Sequence, residues 1–319
     1  MLEEQTRQLR SAARRLLEEG KVDCVIGYKK GTVPLRDKAT VAYTPEEADQ
    51  LVWSSFCTNN LANFLVGRTD RCAIVAQGCV SRNVMGLVKE NQIKRENVYI
   101  LGIHSQGMVD HNKVKARFPD RVIHDVEEDG DEIVVKGADF EERVLRRDVK
   151  RNNCYTCTHR NAIVYDEFIG EQGRESGGGN IDEVAAPWEK LEHEERFRRF
   201  QDTLKECIRC YACRDICPLC YCSECFVDEA KPQWCGKTVE QPDIYTFHLL
   251  RAFHCAGRCT DCGACESACP VGIKVRYLTS KIEKDMRELY NYEAWADPDQ
   301  EPPLSVYQPN DPEPFLKKK

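Results

Sequence analysis

The 319-residue chain has no apolar run approaching the roughly eighteen residues that a membrane-spanning helix requires, so membrane insertion is not expected. It has no excess of basic charge: 46 Lys and Arg stand against 53 Asp and Glu, a formal charge of −7. General attraction to a phosphate backbone is therefore missing, and a nucleic-acid partner is disfavoured even though paired cysteines superficially suit a zinc finger. The opening "MLEEQTRQLR" is acidic and lacks the apolar stretch of a secretion signal, so a reducing, cytoplasmic location is expected and disulfides are disfavoured. There is no Gly-x-Gly-x-x-Gly dinucleotide fingerprint. No nucleophile or acid–base constellation stands out either; His104, His111 and His159 are scattered, and no catalytic residue is assigned.

What the chain does have is cysteine, 19 in all, sparse up to residue 150 and dense from 207 to 269. That shift divides it into two bodies. The first half reads as α/β. "LEEQTRQLRSAARRLLEEG" has helical apolar spacing and stops at Gly20, before the strand-like "VDCVIG". "CAIVAQGCVSRNVMGLVKENQI" gives a strand, a turn and a helix with Ser81 as candidate N-cap, and "NVYILGI" supplies the next strand. A βαβ unit with a partly parallel sheet follows. The expected organisation is an α/β domain over 1–169, a Gly-rich linker over 170–187, a mainly α, cysteine-rich domain over 188–296, and a Pro-rich tail over 297–319. The tail, with six prolines in 23 residues and Leu304, Val306, Tyr307, Phe315 and Leu316 as apolar anchors, either dangles or drapes over a partner.

Between 207 and 225 the chain places seven cysteines in nineteen positions. The run C-x2-C-x2-C-x3-C-P occurs at Cys207, Cys210, Cys213, Cys217 and Pro218, and again at Cys259, Cys262, Cys265, Cys269 and Pro270. Two-residue gaps wind three thiolates around one corner of a cubane, while the fourth, redirected by proline, reaches the neighbouring cluster. The expected pairing is crossed: Cys207, Cys210, Cys213 and Cys269 hold one 4Fe-4S cluster, and Cys259, Cys262, Cys265 and Cys217 the other. Structural zinc, built from two separate knuckles, fits this doubled spacing less well. "TVEQPDIYTFHLLRAFHCAGRC" reads as a helix from about Asp243 to Gly257, packing beside the clusters without binding them. Ile208, Ile216, Val271 and Ile273 flank ligands and are expected to exclude water, or simply to be core; Arg209, Arg214 and Arg258 also flank ligands, on what is by default a solvated face. Cys220, Cys222, Cys225 and Cys235 offer a fourth metal site, zinc or iron-sulfur, against the alternative of small apolar fillers. In the front half Cys57, Cys79 and the pair Cys154 and Cys157 are candidates for a third cluster, with Cys79 at a strand-to-helix junction whose helix N-terminus would favour a thiolate; scattered core cysteines are the alternative.

"CAIVAQGCVSRNVMGLVKENQI", "VYILGIHSQGM" and "NNCYTCTHRNAIVYDEFIGEQG" together resemble the beta subunits of deazaflavin-reducing hydrogenases and deazaflavin-dependent formate dehydrogenases, over roughly residues 50–175. The resemblance implies an α/β fold carrying FAD and an iron-sulfur cluster that exchanges electrons with a deazaflavin, and it points to Cys79, Cys154 and Cys157 as ligands. Where those relatives tend to have a cysteine after the second strand this chain has His104 and Ser105, so Cys57 is expected to complete the set. The C-terminal half resembles two-cluster ferredoxins and the iron-sulfur subunits of heterodisulfide reductases. The function expected is an electron-transfer subunit of a cytoplasmic multi-subunit oxidoreductase, partnered by other redox subunits. A subunit that uses FAD to exchange hydride with a nicotinamide or deazaflavin is the runner-up, and a zinc-bound scaffold the third reading.

Overall fold

A computed structural model describes residues 2–175, 180–303 and 305. Leu304 and 306–319, which carry the tail's apolar anchors, lie outside the described residues, as does the centre of the Gly-rich stretch. The chain opens with the Leu2–Glu18 helix, which buries Leu9, Ala12, Ala13 and Leu16 along one face, has Glu3 and Glu4 in its first turn where the helix dipole favours negative charge, and ends before Gly20 at φ +62°. Its buried face packs on a five-stranded sheet built from β1 (Cys24–Val33), β2 (Arg36–Ala42), β3 (Cys72–Ala76), β4 (Val98–Ile103) and β8 (Glu167–Ile169), in the order β2-β1-β3-β4-β8. β1, β3, β4 and β8 run parallel, and β2 pairs antiparallel at the edge.

Every residue of β3 is buried, as its uninterrupted "CAIVA" demands of a strand covered on both faces. The β3–β4 crossover is the Gly78–Lys89 helix. Its N-cap is Gln77; Ser81 lies inside the first turn, where its hydroxyl donates to Gly78 O and accepts from Ile163 N, so the cap falls four residues earlier than the sequence suggested. A second sheet was not expected. β5 (Asp125–Asp129), β6 (Glu132–Lys136) and β7 (Glu141–Leu145) form an antiparallel meander over a separate small core of Val114, Phe118, Ile133 and Val135.

The remainder is helical and rich in cysteine. The expected linker is shorter than 170–187: Asp182–Glu189 is already helix and stacks Trp188 on Tyr277 with centroids 4.0 Å apart, while Gly173 N donates to Asn161 Oδ1, tying the segment to the loop that precedes β8. The His193–Leu204, Gln241–His254 and Arg276–Tyr290 helices follow. Phe200, Leu204, Ile244, Ile273 and Val275 form their shared core. This part docks on the Gly78–Lys89 helix. Gly86 permits close approach of Trp295, whose ring would lie 2.8 Å from a Cβ at that position. Beside it Arg82 Nε donates to Ala294 O at 2.8 Å, Asn83 Nδ2 to Thr260 Oγ1 at 2.9 Å, and Arg258 Nη2 to Glu90 Oε2 at 2.7 Å.

Candidate metal centres

The sequence repeat is also a backbone repeat. In the first loop Arg209 and Tyr211 take left-handed conformations, at φ +51° and +59°; in the second, Asp261 and Gly263 do so at the equivalent positions, at +53° and +67°. Alternating hands turn successive N–H groups toward one point, making a concavity suited to an anion. Each loop then enters a short helix, Ala212–Asp215 and Ala264–Ala268. Gly263 has a second reason to be glycine: its Cβ would fall 2.6 Å from Asn153 Oδ1.

Two small cavities lie inside these loops. Cys207, Cys210, Cys213 and Cys269 line one of about 20 Å³; Cys217, Cys259, Cys262 and Cys265 line another of about 30 Å³. Each cavity thus takes three thiols from one run and the last from the other. Burial pushes the Cys213 thiol up to about 11 and the Cys265 thiol to about 12, a penalty that metal ligation would remove by binding the deprotonated form. Cys217 goes the other way, pulled down by hydrogen bonds from Cys220 and Cys255. His248 Nε2 lies 3.3 Å from Cys207 Sγ, and burial, with Arg251 and Arg209 nearby, lowers its ring to about 4. Orphaned buried donors mark both cavities, Arg209 Nε at the first and Arg251 Nε at the second. Thiols, converging amides and unpaired guanidinium nitrogen together fit an anionic, thiolate-bound cluster.

A third cavity, of about 60 Å³, opens outside the carboxyl ends of β3 and β4, the usual ligand crevice of a parallel sheet. Cys79 reaches it from the first turn of the Gly78–Lys89 helix, Cys154 from the short Asn152–Tyr155 helix, and Cys157 from the loop that follows. Burial raises the Cys79 thiol and pushes Cys157 up to about 11. Cys259 and Cys262 line this cavity too, so the second and third cavities share a wall. Arg151 and Asn153 hold that wall in place by donating to Gly263 O and Cys262 O.

Cys57 does not complete the front set. It is buried in the core under the sheet, with its thiol toward Ser54 Oγ at 3.7 Å and Asp37 Oδ2 at 3.8 Å, and Ser105 lines the cavity instead. Replacing Cys57 with alanine is expected to leave iron per chain unchanged and to lower stability by about 1 kcal/mol through the lost packing, measured by iron assay and thermal melting on the same preparation.

The fourth thiol group does not show the convergence that a zinc ion needs. Zinc held at about 2.3 Å from each sulfur needs its ligands about 4 Å apart, yet among the described residues only Cys24, Asp70 and Cys72 bring three possible ligand atoms within 4.8 Å of one another. Cys220 turns to Cys217, Cys222 is exposed, Cys225 packs in an apolar cluster with Val227 and Phe247, and Cys235 faces Asp243 O at 3.5 Å. The Cys24–Cys72 pair, at neighbouring positions of β1 and β3 with sulfurs 3.4 Å apart, is satisfied by Arg68, which donates to both sulfurs and pairs with Asp70. A guanidinium therefore fills the space a cation would take.

Other expectations shift as well. Ile273 is buried, but Ile208 and Val271 are 55% and 41% exposed, leaving one side of the first cavity open to solvent along with Cys210. Arg209 and Arg258 are not on a solvated face: Arg209 pairs with Asp243 at 3.6 Å and Arg258 with Glu90. Cys255, His248 and Arg251 escaped sequence reading because each approaches the thiols from a helix about forty residues from the first run. Beside the front cavity, sharing Thr156 and Arg160 with it, lies a larger one of about 800 Å³ with Arg146, Arg147, Lys150 and Arg174 on its walls.

No family model matches the chain. Among curated proteins it is 24% identical to the F420-dependent formate dehydrogenase subunit beta of Methanocaldococcus jannaschii, across 87% of this chain and 88% of that protein. It is likewise 24% identical to the F420-dependent formate dehydrogenase 1 subunit beta of Methanococcus maripaludis, across 90% of each. Among solved structures, a chain of the F420-reducing hydrogenase complex of Methanosarcina barkeri aligns with 62% of this chain and 84% of its own length, at 15% identity and a TM-score of 0.38.

Proposed function

We infer that this chain, similar over nearly all its length to beta subunits of F420-dependent formate dehydrogenases, is the electron-transfer subunit of a larger oxidoreductase complex. The observation that carries the reading is the row of three thiol-lined cavities in which the middle one shares Cys217 with the first run and Cys262 with the front cavity. Bound there, 4Fe-4S clusters would supply one-electron exchange. The chain's own residues would do the rest. The left-handed loops aim amides at the clusters, apolar side chains such as Phe247 and Ile273 exclude water, and Arg151 and Asn153 fix the spacing between the second and third sites. The cysteine-rich part would then be a ferredoxin-type domain, with Cys207, Cys210, Cys213 and Cys269 on one cluster, Cys259, Cys262, Cys265 and Cys217 on the next, and Cys79, Cys154 and Cys157 on the third. The exposed Cys210 side of the first cavity is the natural face for a redox partner.

A second reading, a flavin-containing reductase subunit, is favoured by the basic cavity beside the front site. Arg147, Lys150, Arg160 and Arg174 could meet a cofactor pyrophosphate within reach of a front cluster. Quantifying iron, sulfide, zinc and flavin per chain in anaerobically purified protein tests both. About twelve irons with matching sulfide support the relay, flavin released on denaturation adds the second reading, and zinc with neither sulfide nor flavin rejects both.

A further inference from the structure

The Gln241–His254 helix carries Arg251 in its last turn. The residue is 5% exposed, its Nη2 donates to Cys213 O at 2.8 Å, and its Nε has no partner. No acid pairs with it among the described residues. The other buried arginines nearby are different: Arg209 pairs with Asp243 at 3.6 Å, Arg276 with Asp261 at 2.6 Å, and Arg82 with Glu293 at 3.4 Å. A guanidinium does not deprotonate in proteins, and leaving one buried without a counter-charge is strongly unfavourable. What surrounds Arg251 is sulfur. It lines the second cavity together with Cys217, Cys255 and Cys265, and it bonds the carbonyl of Cys213. Cys213 belongs to the first cavity, and Cys217 and Cys265 to the second.

We propose that Arg251 is a positioning residue for electron transfer, a fixed buried cation shared by the two cysteine-run clusters whose charge favours the reduced form of each. The proposal rests on the iron-sulfur reading of those cavities. Reduction adds one electron and one negative charge to a cluster, with no bond made or broken, and a nearby unscreened cation in a low-dielectric setting lowers the cost of that charge. Arg209 and Arg276 cannot do the same, because Asp243 and Asp261 already offset them. Arg251 therefore sets potential in a way that its apolar neighbours do not.

The test uses the full chain, purified anaerobically, titrated with dithionite as electron donor and followed by EPR at controlled potential. Arg251→Met, which keeps bulk and removes charge, should retain wild-type iron and sulfide. At the wild-type midpoint its reduced-to-oxidised ratio should fall about tenfold for both clusters, equivalent to about 59 mV for a one-electron couple. Arg251→Lys should restore most of that shift. If Arg251→Met loses iron while Arg251→Lys keeps it with near wild-type potentials, the requirement for charge is likewise upheld. Unchanged potentials in an iron-replete Arg251→Met chain, a shift in only one cluster, or loss of iron from both variants would overturn the proposal, the last by showing that the shape of the guanidinium is what the loop needs. A wild-type chain with no cluster in 207–269 would instead refute the underlying iron-sulfur reading, so the two failures are distinguishable.

Discussion

Replacing Cys262 with serine is expected to remove one 4Fe-4S cluster, lowering iron from about twelve to about eight per chain, and to disconnect the front site from the rest. The effect should reach that far because Cys262, like Cys259, lines two cavities at once. Its carbonyl accepts from Asn153 Nδ2 at 3.0 Å, and the adjacent Gly263 carbonyl accepts from Arg151, so the loop that presents the thiol is also one of the contacts between the two halves of the chain. Because ligation contributes to folding of such loops, the loss should also appear as increased proteolysis near 259–269. Cys210→Ser is the control: Cys210 is exposed and lines only the first cavity, so its replacement should lose one cluster and leave the front site reducible through the second. Iron, sulfide and EPR on the two variants side by side distinguish these outcomes.

Replacing Arg82 with methionine is expected to cost about 3 kcal/mol and to loosen the docking of the cysteine-rich part on the α/β part. Arg82 is buried on the Gly78–Lys89 helix, the same helix that carries Cys79. Its guanidinium donates to Ala294 O and pairs with Glu293, which also meets His159 Nε2 at 3.0 Å. Burial pushes the Glu293 carboxyl up, but the His159 hydrogen bond and the Arg82 charge outweigh it and hold it at about 2. Methionine would remove both bonds to the 293–294 segment and leave a buried carbonyl unpaired. The expected result is a lower melting temperature and faster cleavage between the halves in limited proteolysis. Lys89, at the end of the same helix and paired with the exposed Glu301, should give no measurable change when replaced by alanine.

The α/β core was legible because its signals are local. The continuous "CAIVA" and "VYILGI" runs and the helix between them specify a parallel βαβ unit from spacing alone, and Gly20 and Gly257 mark helix ends through their left-handed backbone. The β5–β6–β7 meander was missed although Gly130, at φ +58°, sits at its first turn; the strands are so acidic, as in "DVEEDGDEIVVK", that alternation was hidden by charge. Ser81 looked like an N-cap because the chain offers no better hydroxyl there, yet Gln77 starts the helix without any side-chain cap.

For the site, periodic spacing identified which thiols share a loop, since winding around one corner is a property of consecutive residues. It could not tell a packed thiol from a converging one. Cys79 stood out by its strand-to-helix junction, but nothing in the sequence around Cys57 tells that its thiol packs in the core and away from the cavity. The same limit applies to Arg251, one of many arginines in the chain, set apart only by the tertiary absence of an acid that Arg209 and Arg276 possess.

The central claim, that the three thiol-lined cavities form one electron-transfer relay, is tested most directly by a stepwise reductive titration of the full anaerobic chain followed by EPR. The account predicts uptake of about three electrons per chain in one-electron steps, with spectra broadened by magnetic coupling between neighbouring clusters. Uptake of a single electron, or fully reduced spectra that are a simple sum of isolated, uncoupled centres, would contradict it.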